Sequence, residues 1–269
     1  MAESSENGFK LQDRTAVLTG PCNSTNQAIA MKLTQLGVNL ALVDRNIEKL
    51  QRFADQLMDA REVQDRYGRA VAIQADLSKS HHIQDAVSRA AESFGGIDIF
   101  IDGLMSTEVR SFREGNALDE LDRMVDVNLR SPLMMTHAVL RFLEGRKRGR
   151  IIYLMNDVGR IGLPYNTLMA ATRSGLSALA RTLSREVHDL NITVNCVALG
   201  LTEEFLLSQA GPEQLSIQEL QGRMTKLYPH ASMTDPDKTA NLVAFLASPL
   251  SVAITGQTIA VSQGLSFLS

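Results

Sequence analysis

The stretch NDVGRIGLPYNTLMAATRSG, residues 156–175, holds the side chains best suited to carbonyl chemistry, and it holds them incompletely. Asn156 offers an amide that could polarise a carbonyl. Arg173 offers a permanent cation, and Met169 stands four residues before it, on the same face of any helix formed there. A thioether has no titratable proton, so this face can hold a charge but cannot exchange a proton. Tyr165 is the nearest phenol, eight residues before Arg173; Tyr153 falls in an apolar run and reads as packing. Further upstream, Thr19-Gly20 is followed by Ser24-Thr-Asn-Gln27. That spells a capping box at a helix start, which would satisfy helix amide groups that could otherwise hold an anion.

These residues are hung on a regular alternation. Thr15–Thr19 is a short apolar run closed by Gly20, and residues 25–36 carry apolar residues at helical spacing up to Gly37. Strands follow at Val38–Val43 (closed by Asp44), Val71–Ile73, Ile97–Ile101, Ile151–Met155, Ile192–Val197 and Thr258–Val261. Helices are expected at about 46–66 (capped by Asn46), 80–94, 117–143, 165–189 and 236–247. Seven strands alternating with helices predict a doubly wound α/β fold of Rossmann type, with a seven-stranded parallel sheet and helices on both faces. Residues 1–8 read as a tail and 9–269 as one domain. Residues 201–235 break the rhythm: Ser216 and Glu219 form a capping box, and Ile217, Leu220, Met224 and Leu227 follow at helical spacing. This excursion is expected to be either a lid or a packed surface helix.

Composition narrows the function classes. A chain of 269 residues with 44% hydrophobic content can bury one sizeable core, and a net charge of −3 gives no reason to expect nucleic acid or an anionic membrane as partner. No apolar run reaches the length of a membrane span, and the N-terminus lacks a signal-peptide pattern, so a cytoplasmic protein is expected. Cys22 and Cys196, the two cysteines, read as reduced, packed thiols. The five histidines (81, 82, 137, 188 and 230) show no metal-binding spacing, with His81-His82 expected at a surface helix start. The run Arg146-Lys-Arg148-Gly-Arg150 reads as a solvated loop.

From about residue 10 to 265 the chain resembles the short-chain dehydrogenase/reductase family in its single-domain form, of which carrier-protein ketoacyl reductases are the nearest type. TGPCNSTNQAIAMKLTQLG lies over the family's TGxxxGxG segment, with Thr19, Gly20 and Gly37 in register. Asp44 matches the acidic residue that ends the second strand, Asp76-Leu77 the pair beside the adenine, and Asn128 the asparagine of the family's tetrad. The resemblance implies that Gly20, Ser24, Asn26, Asp44, Asp76, Leu77 and Arg173 surround the cofactor, which Asp44 would make NAD in preference to NADP; Arg45 is the feature that would favour NADP.

The departures are concentrated where chemistry would occur. Ser24 and Asn26 replace two glycines that let the pyrophosphate approach. NNAG has become Asp102-Gly-Leu-Met105, and PG has become Leu199-Gly200. The catalytic serine falls on Asn156, the tyrosine on Met169 and the lysine on Arg173, leaving Asn128 as the intact member. Loss of a positioned general acid typically costs about 10²–10⁴-fold in rate. Met105, Met155, Met169, Leu104 and Leu199 are expected to gather in the old active site, as a plug or as a lining for an apolar ligand.

The resemblance with these losses implies a pseudo-oxidoreductase that binds NAD weakly or not at all and acts through assembly or ligand sensing. The family's habit implies a homo-oligomer, dimer or tetramer, built on the helices at 117–143 and 165–189, or pairing with an active relative. The alternative is a working NAD(P)-dependent oxidoreductase using Tyr165 or Asn156; a third reading is a binder of a small apolar ligand.

Overall fold

The computed structural model describes residues 7–63, 67–209, 216–227 and 232–266. Most of the tail expected at 1–8, and parts of the 201–235 excursion, lie outside the described residues, as does His230. Seven parallel strands form one sheet: β1 (Thr15–Thr19), β2 (Asn39–Asp44), β3 (Ala70–Gln74), β4 (Ile99–Asp102), β5 (Gly149–Asn156), β6 (Ile192–Leu199) and β7 (Thr258–Val261). Their order is β3-β2-β1-β4-β5-β6-β7. The order reverses between β1 and β4, which pair from Ala16 opposite Ile99 to Thr19 opposite Asp102. That switch point leaves a crevice beyond the carboxyl ends of the two strands, where folds of this type bind ligands.

The inner strands β1, β2, β4, β5 and β6 are apolar on both faces because both are covered. Val17 of β1 and Ile151, Tyr153 and Met155 of β5 face one core, under α3 (Ser80–Phe94), α5 (Ser131–Arg146) and α7 (Thr167–Glu186). Ala16, Leu18, Ile152 and Leu154 face the other, under α1 (Ser24–Gln35), α2 (Ile47–Val63) and α10 (Pro236–Ala247). A third apolar cluster lies past the strand ends, where α8 (Glu203–Ser208) and α9 (Ile217–Leu227) bring Phe205, Leu206, Leu220 and Met224 against α7 residues Leu168 and Met169, with Ile161 of the short α6 (Val158–Ile161) packed on it.

Several expectations are corrected. The helix expected at 117–143 begins later, at α4 (Leu121–Val125), and passes through a π turn at Asp126–Arg130 before α5. Ser131 N–H bonds the Asp126 carbonyl five residues back. Pro132 has no N–H to offer Asn128, so the α register cannot pass unbroken through this turn. The cap of α1 is Asn23, whose side-chain oxygen accepts from Asn26 N–H at 2.8 Å; Ser24 is already helical. Cys22 is exposed and not packed, while Cys196 is buried as expected. No helix among the described residues is long and apolar enough to cross a membrane.

Candidate functional site

The crevice is built from the two glycine turns that leave β1 and β4. Gly20 has φ +62°, and a Cβ there would come within 2.8 Å of Leu104 Cα, so both conformation and space demand glycine. Asn26, on the first turn of α1, reaches back across the crevice. Its amide nitrogen donates to the Gly20 carbonyl at 2.7 Å and to the Gly103 carbonyl at 2.9 Å. Space that a glycine at position 26 would leave open is thus filled by a buried amide that ties the two turns together.

The amino end of α1 is satisfied from outside the helix. Glu204 of α8 accepts from both Ser24 N–H and Ser24 Oγ–H at 2.8 Å. The carboxylate takes the helix-terminal amide and hydroxyl that would otherwise be available to an anion. The expected capping box at Ser24–Gln27 is therefore replaced by two partners, Asn23 within the turn and Glu204 across the crevice.

Arg173 does not point into open space. It is 0% exposed, and its guanidinium donates to Asp102 Oδ2 at 3.1 Å and to the Leu104 carbonyl. Asp102 also accepts from Thr19 Oγ–H at 2.9 Å. Burial pushes the Asp102 carboxyl up and the Arg173 guanidinium down, against the mutual attraction that favours both charges. Asn128 is fully buried on the π turn, where its amide holds the Ser106 backbone at both N–H and carbonyl, 2.8 Å each. It thereby pins the segment that follows β4.

Met169 is 0% exposed inside the third apolar cluster, together with Met124, Leu201 and Phe205, and with Met105 packed against it. The expected gathering of five apolar side chains is only partly formed. Met105 joins Met169, whereas Met155 and Leu104 pack on one face of the sheet and Leu199 on the other. Asn156 is buried at the end of β5. Tyr165 stands 60% exposed with φ +67°, its carbonyl accepting from Arg110 N–H at 2.8 Å. Tyr153 is packed as expected: its hydroxyl is 2.7 Å from Thr136 Oγ1, and burial raises its pKa far above that of a free phenol.

One part of the crevice stays open. A cleft of about 490 Å³ is lined by Asp44, Arg45, Asp76, Leu77, Leu104 and Arg123, among others. Asp44 accepts from Asn46 N–H at 3.0 Å, and Asp76 is held below the usual carboxylate range, chiefly by the Ser78 hydroxyl. Asp44, Asp76 and Leu77 are thus brought together, while Asn26, Ser24 and Arg173 are each engaged by protein groups. Sequence reasoning missed Asp102 and Glu204, the carboxylates that engage Arg173 and Ser24. Thr202-Glu203-Glu204 is a recognisable helix start, with Thr202 Oγ accepting from Phe205 N–H at 3.2 Å, but the helix is too short to show periodicity.

A carboxylate of the cleft, Asp44, sets the behaviour of the surface residue Cys22. Partial burial, then the Asp44 charge, push its thiol up to about 11. Two pKa units above the ordinary thiol leave about 10²-fold less thiolate at pH 8. Iodoacetamide labelling followed by mass spectrometry should find Cys22 modified about 10²-fold more slowly than a free cysteine peptide, and faster in Asp44→Asn. Labelling at the free-peptide rate would refute this electrostatic picture.

The comparisons with known proteins agree with the geometry. A family model described as enoyl-(acyl carrier protein) reductase matches residues 21–266. Nodulation protein G of Rhizobium sp. (strain N33) is 30% identical over 260 residues, 97% of this chain and 100% of that protein. Oxidoreductase UcpA of Escherichia coli (strain K12) is 30% identical over 252 residues, 92% of each chain. The crystal structure of a dehydrogenase/reductase from Sinorhizobium meliloti 1021 superposes with a TM-score of 0.83 at 26% identity, covering 98% of this chain and 99% of that one. With a sheet, a switch-point crevice and a nearly full-length match in common, the chain belongs to the short-chain dehydrogenase/reductase family.

Proposed function

We propose that this chain is a non-catalytic member of its family, a pseudo-oxidoreductase that works by assembling with copies of itself or with an active relative. The observation that carries this reading is Met169, wholly buried in an apolar cluster at the position where the family keeps its proton donor. Neither of the two nearby phenols replaces it: Tyr165 is turned to solvent and Tyr153 is locked on Thr136. A cluster that excludes water and holds no proton donor can stabilise the fold but cannot protonate an alkoxide.

The residues present do not fit a complete dinucleotide. Asp44, Asp76 and Leu77 retain an adenosine-sized cleft, which supports residual nucleotide affinity. Glu204 presents a carboxylate where a pyrophosphate would need amide groups, and Asn26 fills the glycine turn. Arg173, which would have to hold a ribose, is committed to Asp102 and Leu104. NAD is therefore bound weakly or not at all, and Asp44 disfavours the 2′-phosphate of NADP. The filled interior favours assembly over an apolar small ligand. The same fold with its catalytic interior replaced by packing is suited to a structural role in an oligomer.

Titration calorimetry of the purified protein with NADH and NADPH tests this. No saturable heat is expected for either up to about 1 mM, a Kd that corresponds to only about −4 kcal/mol. Micromolar NADH binding together with reductase activity on any carbonyl substrate would overturn it.

A further inference from the structure

The basic run Arg146-Lys-Arg148-Gly-Arg150, expected to be a solvated loop, is instead organised around a buried carboxylate at the amino end of the sheet. Asp98, 4% exposed just before β4, accepts from Thr15 N–H at 3.0 Å. Arg146 Nη1 reaches both of its oxygens, at 3.1 and 3.0 Å. Arg148 Nε and Arg14 Nη1 reach Oδ1 at 3.0 and 3.2 Å. Burial by itself would raise the Asp98 carboxyl, but the Thr15 amide and the three arginines outweigh it and hold it below the ordinary carboxylate range.

A fourth cation completes the group. Arg150 is 7% exposed, and among the described residues its guanidinium meets carbonyls only: Ser248 at 3.2 Å, Gly149 at 2.7 Å and Asn191 at 3.2 Å. Burial, and then the charge of Arg14, lower its pKa. Four guanidiniums and one carboxylate give +4 and −1, an excess of three positive charges. A buried cation without a counter-charge is costly, and a bound anion is what would relieve it. Space for one exists: a cavity of about 230 Å³ is lined by Arg14, Asp98, Arg148, Arg150 and Asn191 over an apolar floor that includes Ile99 and Ala247.

We propose that this cavity binds a small phosphate-bearing anion, either inorganic phosphate or the phosphate end of a small phosphomonoester, through Arg14, Arg148 and Arg150. A tetrahedral dianion offsets two of the three excess charges and suits the forked donors of guanidinium groups, whereas a monocarboxylate would offset only one. The volume is too small for a dinucleotide. The site lies at the amino end of β5, and Asn156 beside the crevice lies at its carboxyl end, about 23 Å away at the usual rise per strand residue. The two sites therefore do not share ligand contacts.

The test uses the full chain in low-salt, phosphate-free buffer, with inorganic phosphate and glycerol 3-phosphate as probes in calorimetry and thermal melts. Sodium chloride at matched ionic strength is the control. Saturable binding to one site is expected, weakened at least about tenfold by Arg148→Gln and unchanged by Arg52→Gln on the exposed face of α2. Tighter binding of the ester would identify a phosphomonoester ligand, and equal or weaker binding the free ion; each supports the site. Arg150 is buried, and its replacement could unfold the chain, so the partly exposed Arg148 is the deciding position. A melting shift no larger than that given by chloride, or equal phosphate affinity in Arg148→Gln, would overturn the proposal.

Discussion

Glu204→Ala combined with Asn26→Gly is expected to raise affinity for NADH by about two orders of magnitude. Each substitution removes a different obstacle. Glu204 holds Ser24 N–H and Oγ–H with a carboxylate oxygen, so an incoming pyrophosphate meets both a lost donor pair and a like charge. Like charges brought together at an interface cost several kcal/mol when desolvated; Glu204 is only half-buried, and solvent trims the gain from its removal to about tenfold. Asn26 is buried and bonded to the Gly20 and Gly103 carbonyls, and removing its side chain reopens the turn where the family keeps glycine. A second factor of about ten is expected from that opening, since about 1.4 kcal/mol changes affinity tenfold. The double variant should also be less stable, by about 1 kcal/mol for each hydrogen bond lost. Calorimetry on the wild type, both single variants and the double variant measures all of this. A double variant that still gives no saturable heat at millimolar NADH would show that Glu204 and Asn26 are not what closes the crevice.

The legible parts of this molecule are those where a pattern repeats. The bounds of β1, β7, α3 and α10 are legible because a fully buried apolar strand such as β1, a short apolar run between turns such as β7, and helices stopped by Gly95 or started by Asp235-Pro236 leave local marks. The capping box at Ser216–Glu219 also forms as read, with Ser216 N–H donating to Glu219 Oε2 at 2.9 Å. The resemblance assigns Asn156, Met169 and Arg173 to catalytic positions by register alone. The partners that such side chains take are not legible that way, because they are distant in sequence. Glu204 lies 180 residues from Ser24, and Arg173 lies 71 residues from Asp102. The organisation of the basic run is hidden for the same reason: its local context is a loop, and only the sheet brings Asp98 and Arg14 beside it. Asp102 held a usable signal. Where the resemblance sets an aspartate over the family's asparagine and an arginine over its lysine, the paired change points to a new ion pair.

Arg173→Met is expected to destabilise the fold by about 3–5 kcal/mol, since it leaves the Asp102 charge buried and unpaired. Asp102→Asn alone should cost a similar amount, stranding the arginine instead. The double variant Asp102→Asn/Arg173→Met should recover most of the loss, because an asparagine still accepts from Thr19 and methionine fills the space with apolar volume. Urea denaturation of the four proteins gives the coupling energy directly. Single-variant losses under about 1 kcal/mol would mean that the pair behaves like a surface ion pair and contributes little. Arg173→Lys separates structure from chemistry: an ammonium keeps the charge but loses the fork that spans Asp102 and the Leu104 carbonyl. It should be less stable than the wild type and no more active, because the neighbouring position remains Met169. Putting a tyrosine there meets the packing of Phe205, Leu201 and Met124, and overpacking a filled core costs about 1–3 kcal/mol. Each step back towards the family's catalytic set thus lowers stability before it can supply chemistry.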